Sequence, residues 1–356
     1  MTSGPTDSDS RALRVVASTL GCPEAGLSRA AKINETQGWD SLTHVQLMLA
    51  LEKEFGVRLD AEAIMRFTSL DRIIDHFRKG PSGRTAGPTV SPAESAAGVP
   101  AAELDLDGLT GSLRAALPGL GIEPGDLLLV HSFLGMLLPA CGSPDTVCER
   151  IIGVLRHTLG PRGTLVLPTF ARAFTRKGTF DRANTPSEMG LLTEFFRKLP
   201  GVRHMLHPYH RFSALGARAD ELAACDCRSS FGPGSPLHVM HRLGGKVLLF
   251  SVDWEVCTFF HYVEEQFEVP YRFYKDISGT VVGDEGPLEE TWLEYAGNLG
   301  RGCEDSFNAF GRRVESAGLC RSARVGPVRL KSFRMDKVFE FTYAALEQNT
   351  DCLITT

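Results

Sequence analysis

A segment at residues 81–103 predicts that this chain divides into two parts. It reads PSGRTAGPTVSPAESAAGVPAAE, in which nearly every residue is small, polar, Gly or Pro. Such a composition cannot bury enough apolar surface to offset the entropy of ordering the backbone, so we expect a flexible linker. A flexible coil of about 22 residues has a root-mean-square span of roughly 25 Å. The chain is therefore expected to be multidomain, with residues 1–80 tethered to residues 104–356 at high effective concentration.

Bulk composition argues against several functional classes. The formal net charge of −5 and the pI near 6.1 do not favour nucleic acid or an anionic membrane as a partner. No stretch of about 18 apolar residues occurs, and the opening MTSGPTDSDS does not resemble a secretion signal. The nine cysteines form neither a disulfide pattern nor a zinc-binding spacing. We therefore expect a cytoplasmic protein with reduced thiols.

The pattern of residues 1–80 predicts a small helical domain. Apolar residues recur at helical spacing from Ser41 to Phe55, with Asp40 as the N-cap residue and Gly56 as the stop signal. Further helices are predicted at Arg11–Leu20, Ala61–Phe67 and Leu70–Arg78. Together they would form a four-helix bundle.

Ser41 lies at the first turn of the strongest predicted helix, where the helix dipole favours an attached phosphate. On local chemistry alone, this serine is most simply a helix start. The surrounding stretch GWDSLTHVQLMLALEKEFGV, residues 38–57, resembles acyl and peptidyl carrier proteins, whose Asp-Ser-Leu serine carries 4′-phosphopantetheine. The resemblance implies 4′-phosphopantetheine as a covalent cofactor on Ser41. It also implies a phosphopantetheinyl transferase and an acyl-loading ligase or synthase as partners.

Residues 104–356 alternate strand-like and helical patterns. Strands are predicted at Asp126–Phe133, Gly163–Phe170 and Lys246–Asp253, and a helix at Pro144–Leu159. This alternation indicates an α/β layered domain, whose strand order the pattern does not give. The sequence motifs of serine hydrolases, P-loop NTPases, Rossmann dehydrogenases and His-Glu-x-x-His zinc proteases are absent.

Two polar clusters are the candidates for chemistry. The motif HPYH at 207–210 places two histidines in a loop, and histidine is the usual general base near neutral pH. Thr258, His261 and Glu264 recur every three residues, so they would share one face of a helix. A carboxylate in that arrangement could orient the neighbouring imidazole.

Other interpretations of these residues stay open. His204, His207 and His210 could bind zinc, although the proline among them breaks helical ligand spacing. Cys257 could be a nucleophile beside His261, or simply a small apolar residue.

From about residue 105 to its end, the chain resembles the aminoglycoside 3-N-acetyltransferase (antibiotic N-acetyltransferase) family. The matching motifs occur in family order: His131–Leu134, Gly163–Thr169, Phe180–Asp181, Thr185–Gly190, Phe196–Gly201, His207–His210, Gly232–Leu237, Thr258–Glu264 and Pro270–Arg272. This family transfers an acyl group directly from a pantetheine thioester to an amine. The resemblance therefore implies an N-acyltransferase with a small-molecule amine as acceptor, and acetyl-CoA or another acyl-CoA as a possible donor.

The resemblance also implies roles for individual residues. His210 is the expected general base, Glu264 an orienting or amine-binding carboxylate, and Thr169 a hydroxyl donor to the thioester oxygen. The residues expected to bind pantetheine are His131, Ser132, Phe133 and Leu134. Those expected to contact the substrate are Asp181, His207, Arg211, Thr258 and His261. No metal is expected, and both His131 and His261 could instead be packing histidines.

The sequence also departs from the family. Arg211 stands where family members have a serine, and Cys257 and Phe259 replace small polar residues, so we expect an altered acceptor pocket. A fused carrier favours transfer of an acyl or aminoacyl group between the arm on Ser41 and an amine, in specialised-metabolite biosynthesis. The alternatives are a resistance acetyltransferase that uses free acetyl-CoA, a hydroxyl or carbon nucleophile, and an inactive scaffold that docks the carrier.

Overall fold

The computed structural model describes most of the chain. The described residues are 7–32, 36, 38–39, 41–57, 59, 67–78, 105–137, 143–297 and 304–355. The chain divides into two compact units, Met1–Leu104 and Asp105–Thr356. The predicted linker 81–103 lies outside the described residues, as do the predicted N-cap Asp40 and all but the last residue of the predicted helix Ala61–Phe67.

The N-terminal unit is helical. Its described α-helices span Asp7–Leu20, Ser41–Phe55 and Leu70–Arg78, with a 3₁₀ turn at Glu24–Gly26. The second and third have the predicted bounds, and Gly56 ends the second with a φ of +63°, a left-handed geometry that favours glycine. The inward faces share one apolar core, which includes Val16, Trp39, Leu47, Leu51, Phe67 and Ile73. The helical carrier region is thus confirmed, while the four-helix arrangement stays a prediction.

A seven-stranded mixed sheet forms the centre of the second unit. In spatial order its strands are β10 (Cys320–Val325), β11 (Val328–Arg334), β6 (Lys246–Phe250), β1 (Leu127–Ser132), β2 (Thr164–Pro168), β5 (Phe212–Gly216) and β4 (Arg203–His204). β6, β1 and β2 are parallel, whereas β10 pairs antiparallel with β11, β11 with β6, β5 with β2, and β4 with β5. The parallel strands are the three that the sequence predicts, because continuous apolar runs are typical of strands buried on both faces.

The second unit also contains α-helices. They span Leu106–Ala116, Pro144–Leu159, Ala173–Lys177, Leu191–Arg197, Ala219–Ala223, Pro236–Arg242, Thr258–Phe267, Phe307–Ser316 and Met335–Gln348. The helix Pro144–Leu159 has its predicted bounds, contacts β2 and buries Ile151 and Leu155. The α/β class is therefore confirmed. Within the described residues, no helix has the length and apolar character needed to cross a membrane.

A smaller sheet carries part of the candidate site. β3 (Thr179–Asp181) pairs in parallel with β7 (Arg272–Gly283), which forms a long antiparallel hairpin with β8 (Gly286–Gly297). Trp292 of β8 is buried in a separate apolar cluster. Two short strands, β9 (Glu304–Asp305) and β12 (Ile354–Thr355), pair with each other.

Candidate active site

The carboxyl ends of β6, β1 and β2 meet at one edge of the main sheet, because these strands are parallel. Ligand sites of α/β sheets lie at such edges. His131 and Ser132 end β1, and Thr169 follows β2. Since β5 is antiparallel to β2, the residues before β5 lie at the same edge, where the Thr169 N–H donates to the Arg211 carbonyl at 2.8 Å. His210 therefore lies at this edge, together with the end of β1.

The His210 ring is held through its Nδ1 atom, which lies 2.7 Å from the Ser230 hydroxyl. The same hydroxyl donates to the Leu293 carbonyl at 3.3 Å. A hydroxyl has one proton, so this arrangement makes it the acceptor of the His210 Nδ1–H and leaves the lone pair of the ring on Nε2. The ring also packs against Phe170 and Phe231, with centroids 5.1 and 4.8 Å away.

His207 fixes the loop that carries His210. Its buried ring accepts the backbone N–H groups of Tyr209 and His210 at Nδ1, at 3.2 and 3.0 Å, so its Nε2–H donates to the Leu293 carbonyl at 3.2 Å. His207 thus uses both ring nitrogens within the protein and has none left for zinc. Burial lowers the pKa of His207 to about 4, and burial together with nearby positive charges lowers the pKa of His210 well below 6.5. Both rings are neutral at pH 7.

The second predicted cluster centres on the buried carboxylate of Glu264. Tyr271 Oη donates to Glu264 Oε1 and His261 Nδ1 lies beside Oε2, both at 2.8 Å, while Arg272 Nε lies 2.7 Å from Oε2. Burial by itself raises the pKa of Glu264, but the hydrogen bond and charge of His261 and the charge of Arg272 outweigh it, and the pKa is lowered overall. Glu264 is therefore ionised, with both oxygens engaged inside the protein.

His261 links the two clusters. Its ring stacks on Phe231 with centroids 6.1 Å apart, and its Nε2 lies 4.0 Å from Asp305 Oδ2. The possible ligand atoms of His261, Glu264 and Asp305 lie within 4.8 Å of one another, as a metal site would require. Arg272, however, pairs with both carboxylates, at 2.7 and 2.6 Å. A guanidinium in that position repels a metal cation.

Thr169 and Arg211 lie beneath the surface of the site. The buried Thr169 hydroxyl donates to the Arg211 carbonyl at 3.2 Å and lies 2.7 Å from Ser213 Oγ. The Arg211 side chain is 1% exposed and donates to the carbonyls of Arg182 and Thr185, at 2.9 and 3.0 Å. Burial lowers the pKa of Arg211 to about 10. The expectation that Arg211 contacts the substrate is corrected, because the loop after β3 satisfies its guanidinium inside the protein.

Asp181 organises that same loop. Its Oδ1 accepts the backbone N–H groups of Ala183 and Asn184, both at 2.9 Å. Hydrogen bonds from the Asn184 side chain and backbone lower the pKa of Asp181. Its carboxylate is thus engaged in a local turn. Thr258, expected to contact the substrate, is buried at the start of its helix.

The end of β1 is the segment that the sequence predicts to bind pantetheine. His131 Nε2 and Ser132 Oγ are buried and lack a hydrogen-bond partner among the described residues. Burial lowers the pKa of His131 to about 4, so its ring is neutral. Half-buried Phe133 and buried Leu134 follow. Because buried polar atoms rarely lack partners, this strand end fits a ligand that combines amide groups with an apolar chain, as pantetheine does.

Sequence reasoning missed three residues that build the site: Ser230, Phe231 and Glu265. Glu265 is buried, and its two oxygens accept the Phe231 N–H, at 2.9 Å, and the Ser229 hydroxyl. These contacts hold Ser230 beside His210. Ser229 to Phe231 directly precede the motif that begins at Gly232, but only their tertiary contacts give them a role.

Two family models match the chain. Residues 129–347 match the model described as aminoglycoside 3-N-acetyltransferase, and residues 10–77 match the phosphopantetheine attachment site. Aminoglycoside N(3)-acetyltransferase VII of Streptomyces paromomycinus is 28% identical over 265 residues, which are 66% of this chain and 90% of that protein. Aminoglycoside N(3)-acetyltransferase IV of Salmonella sp is 34% identical over 162 residues, which are 45% of this chain and 59% of that protein.

Solved structures agree with the family match. The apoenzyme of aminoglycoside acetyltransferase AAC(3)-IVa has a TM-score of 0.56 at 27% identity, over 68% of this chain and 89% of that one. Aminoglycoside acetyltransferase AAC(3)-IIb has a TM-score of 0.59 at 25% identity, over 67% of this chain and 97% of that one. Since the first family model spans more than half of its length, this chain belongs to the aminoglycoside 3-N-acetyltransferase family of N-acyltransferases, and it carries a phosphopantetheine-binding carrier domain in addition.

Proposed function

We propose that this protein moves an acyl or aminoacyl group between a phosphopantetheine thioester on its own carrier domain and an amine. The observation that carries the proposal is the presence of both families in one chain, at residues 10–77 and 129–347. A donor tethered to the enzyme acts at high effective concentration. An enzyme that used only diffusible acetyl-CoA would have no need of the carrier. The reaction then belongs to the biosynthesis of a specialised metabolite.

In this proposal the carrier domain comprises residues 1–80, the linker 81–103 and the acyltransferase domain 104–356. Ser41 is the first residue of its helix, so a phosphate on its hydroxyl would lie at the positive end of the helix dipole. The arm would present the acyl group as a thioester, which combines an electrophilic carbonyl with a good leaving group. A four-helix bundle, completed by a helix at Ala61–Phe67, would support the arm.

His210 is the proposed general base for direct transfer. The amine nitrogen bonds to the acyl carbon as the C–S bond breaks, and the proton of the nitrogen passes to His210 Nε2. The same proton then returns to the sulfur, which leaves as a thiol, so no covalent acyl-enzyme forms. The 2.7 Å contact with Ser230 favours the tautomer with a free Nε2 lone pair. The lowered pKa keeps the ring neutral and ready to accept the proton.

Other residues receive supporting roles. We assign the strand end His131–Leu134 to the pantetheine chain, because of its unsatisfied polar atoms. We assign His261 to the acceptor amine and Glu264 to the orientation of the His261 ring, since Glu264 is fully buried and lies 2.8 Å from His261 Nδ1. Hydrogen bonding from Thr169 to the thioester oxygen stays a prediction, because its hydroxyl donates to a protein carbonyl in this structure.

The first experiment tests the carrier. Wild type and Ser41→Ala are incubated with a phosphopantetheinyl transferase and coenzyme A, and intact-protein mass is measured. One added pantetheine arm on wild type alone supports the proposal. No addition, under conditions that modify a control carrier, sinks the tethered mechanism.

The second experiment tests transfer. The arm of wild type and of His210→Ala is loaded with an acyl group, and loss of that group is followed by mass in the presence of candidate amines. Wild type should deliver the acyl group to an amine, whereas His210→Ala should keep it. Equal transfer by both variants would indicate that the acyltransferase domain is an inactive scaffold.

The second candidate function is acylation of an amine from free acetyl-CoA. The names of the relatives favour it, because both are aminoglycoside N(3)-acetyltransferases. It predicts that Ser41→Ala acetylates an aminoglycoside at the wild-type rate. The tethered mechanism predicts that Ser41→Ala has lost transfer.

A further inference from the structure

Most carboxylates around the candidate site are already engaged. Four of them form ion pairs with arginines: Glu188 with Arg176 at 2.7 Å, Glu290 with Arg182 at 3.2 Å and Arg228 at 3.4 Å, Glu264 with Arg272 at 2.7 Å, and Asp305 with Arg272 at 2.6 Å. The buried carboxylate of Glu265 accepts hydrogen bonds from Ser229 and from the Phe231 N–H. A polycationic amine would have to compete with these guanidinium groups for the four paired carboxylates. The site therefore offers a polycation little net attraction.

Arg172 shows the opposite situation. It is half-buried, and in the described part of the chain no side chain pairs with its guanidinium. It follows directly on the segment that lines the base: the Phe170 ring packs on His210 with centroids 5.1 Å apart, and the Ala171 N–H donates to the Tyr209 carbonyl at 3.0 Å. The backbone N–H of Arg172 donates to Glu188, whose other oxygen pairs with Arg176.

The buried Arg211 guanidinium donates to carbonyl groups, and among the described residues no carboxylate forms an ion pair with it. The positive charge of Arg172 also contributes to the low pKa of His210, after burial and the charges of His207 and His261. Arg172 thus presents a guanidinium without an ion-pair partner among the described residues. A half-buried guanidinium without an ion-pair partner, such as that of Arg172, is suited to bind a carboxylate through two parallel hydrogen bonds.

We propose that one of the two substrates carries a carboxylate, and that Arg172 binds it next to His210. The proposal rests on the proposed function and deepens it, because it names the charge class of the substrate. The carboxylate can belong to the acceptor, as in an ω-amino acid, or to the acyl group, as in a dicarboxylic half-thioester. Both sources share the same chemistry, and the experiment separates them.

The test compares Arg172→Gln with wild type, both with loaded carriers. In the acceptor series, acetyl-loaded protein reacts with β-alanine or with β-alanine amide. In the acyl series, succinyl-loaded or butyryl-loaded protein reacts with a neutral amine. In one of the two series, Arg172→Gln should lower kcat/KM about 10-fold or more for the substrate with the carboxylate. The kcat/KM for the neutral substrate of that series should stay within about 2-fold of the wild-type value. Arg218→Gln is the matched control, because Arg218 is exposed and pairs with Glu221 at 2.8 Å.

The proposal would be overturned if Arg172→Gln lowered kcat/KM equally for acid and neutral substrates in both series. It would also be overturned if the variant lost activity with acetyl-CoA but not with acetyl-pantetheine, because Arg172 would then bind a coenzyme phosphate. A calorimetric titration of the protein with the N-acetyl-β-alanine and succinate ions gives a readout without turnover, and weaker binding of either by Arg172→Gln supports the proposal.

The transfer assay separates the two hypotheses. If wild type transfers the acyl group from Ser41 to none of the amines, the proposed function fails. If it transfers the acyl group at the same rate to or from charged and neutral substrates, this inference alone fails.

Discussion

Glu265 accepts the Phe231 N–H at 2.9 Å, and the Phe231 ring in turn packs against His210. The other oxygen of Glu265 accepts the Ser229 hydroxyl. Ser230 lies between these two anchored residues and contacts His210 Nδ1 at 2.7 Å. A buried carboxylate that does not touch the base therefore determines how the base is held.

Removal of this anchor should impair the chemical step. We expect Glu265→Ala to lower kcat on the order of 10-fold with little change in KM, because the loop that orients His210 loses hydrogen bonds of about 1 kcal/mol each. Glu265→Gln keeps an acceptor for the Phe231 N–H and should retain more activity. Steady-state kinetics with an amine acceptor measure both effects.

Ser230→Ala provides the control for this prediction. If Glu265 acts through Ser230, the double variant should be no slower than the slower single variant, since residues that act as one unit are not additive. Fully additive losses would contradict the positioning role. Thermal unfolding of each variant shows whether the fold is retained.

Replacement of Arg211 should affect stability. Arg211→Met keeps an unbranched apolar stem but removes the guanidinium, which leaves the carbonyls of Arg182 and Thr185 without their donors. We expect the free energy of unfolding of the acyltransferase unit to fall by about 2 to 4 kcal/mol. Hydrogen exchange should increase first in the loop after β3. Arg218→Met, at an exposed position, should change stability by no more than about 0.5 kcal/mol, and an equal loss in both variants would refute the role of the buried guanidinium.

The sequence predicts elements whose signals are local. The helices Ser41–Phe55 and Pro144–Leu159 have the predicted bounds, because an apolar stripe and a start or stop residue define each. The three parallel strands are found because each is a continuous apolar run. The order of the seven strands is not predictable in this way, since pairing depends on contacts between distant segments.

The site shows the same division between local and tertiary information. His210 and Glu264 stand out in sequence because their residue types and spacing suggest chemistry. Arg211 occupies a position that the motif assigns to the pocket, but its length lets it reach buried carbonyls instead. Ser230 and Glu265 have ordinary residue types, and their role comes from a contact between a loop and a helix.

Two buried neutral histidines predict how stability depends on pH. The pKa values of His131 and His207 are about 4 in the folded protein, below the usual value near 6.5 in an unfolded chain. The unfolded state therefore binds more protons between these values, so stability is complete above pH 6.5 and is lost as pH falls toward 4. Each histidine should contribute up to about 1.4 kcal/mol per pH unit in that window.

Hydrogen exchange of β1 peptides at pH 7 and pH 5 measures this effect. His131→Gln removes the titrating group, so its stability should fall less between these pH values than that of wild type. The same decrease in both proteins would show that His131 is not neutral in the fold.

The low pKa of His210 predicts an unusual pH profile for transfer. Its ring is already neutral at pH 6.5, so a higher pH does not increase the fraction of enzyme in which His210 can accept a proton. An alkylamine acceptor, with a pKa near that of lysine at about 10.4, must still lose a proton, so log kcat/KM should rise with a slope of about 1 from pH 6.5 to pH 9. An aromatic amine, which is neutral throughout this range, should give a flat profile with the same enzyme. If both acceptors instead showed a common inflection near pH 6.5, the base would be a histidine with an ordinary pKa, and His210 as the structure holds it would not be that base.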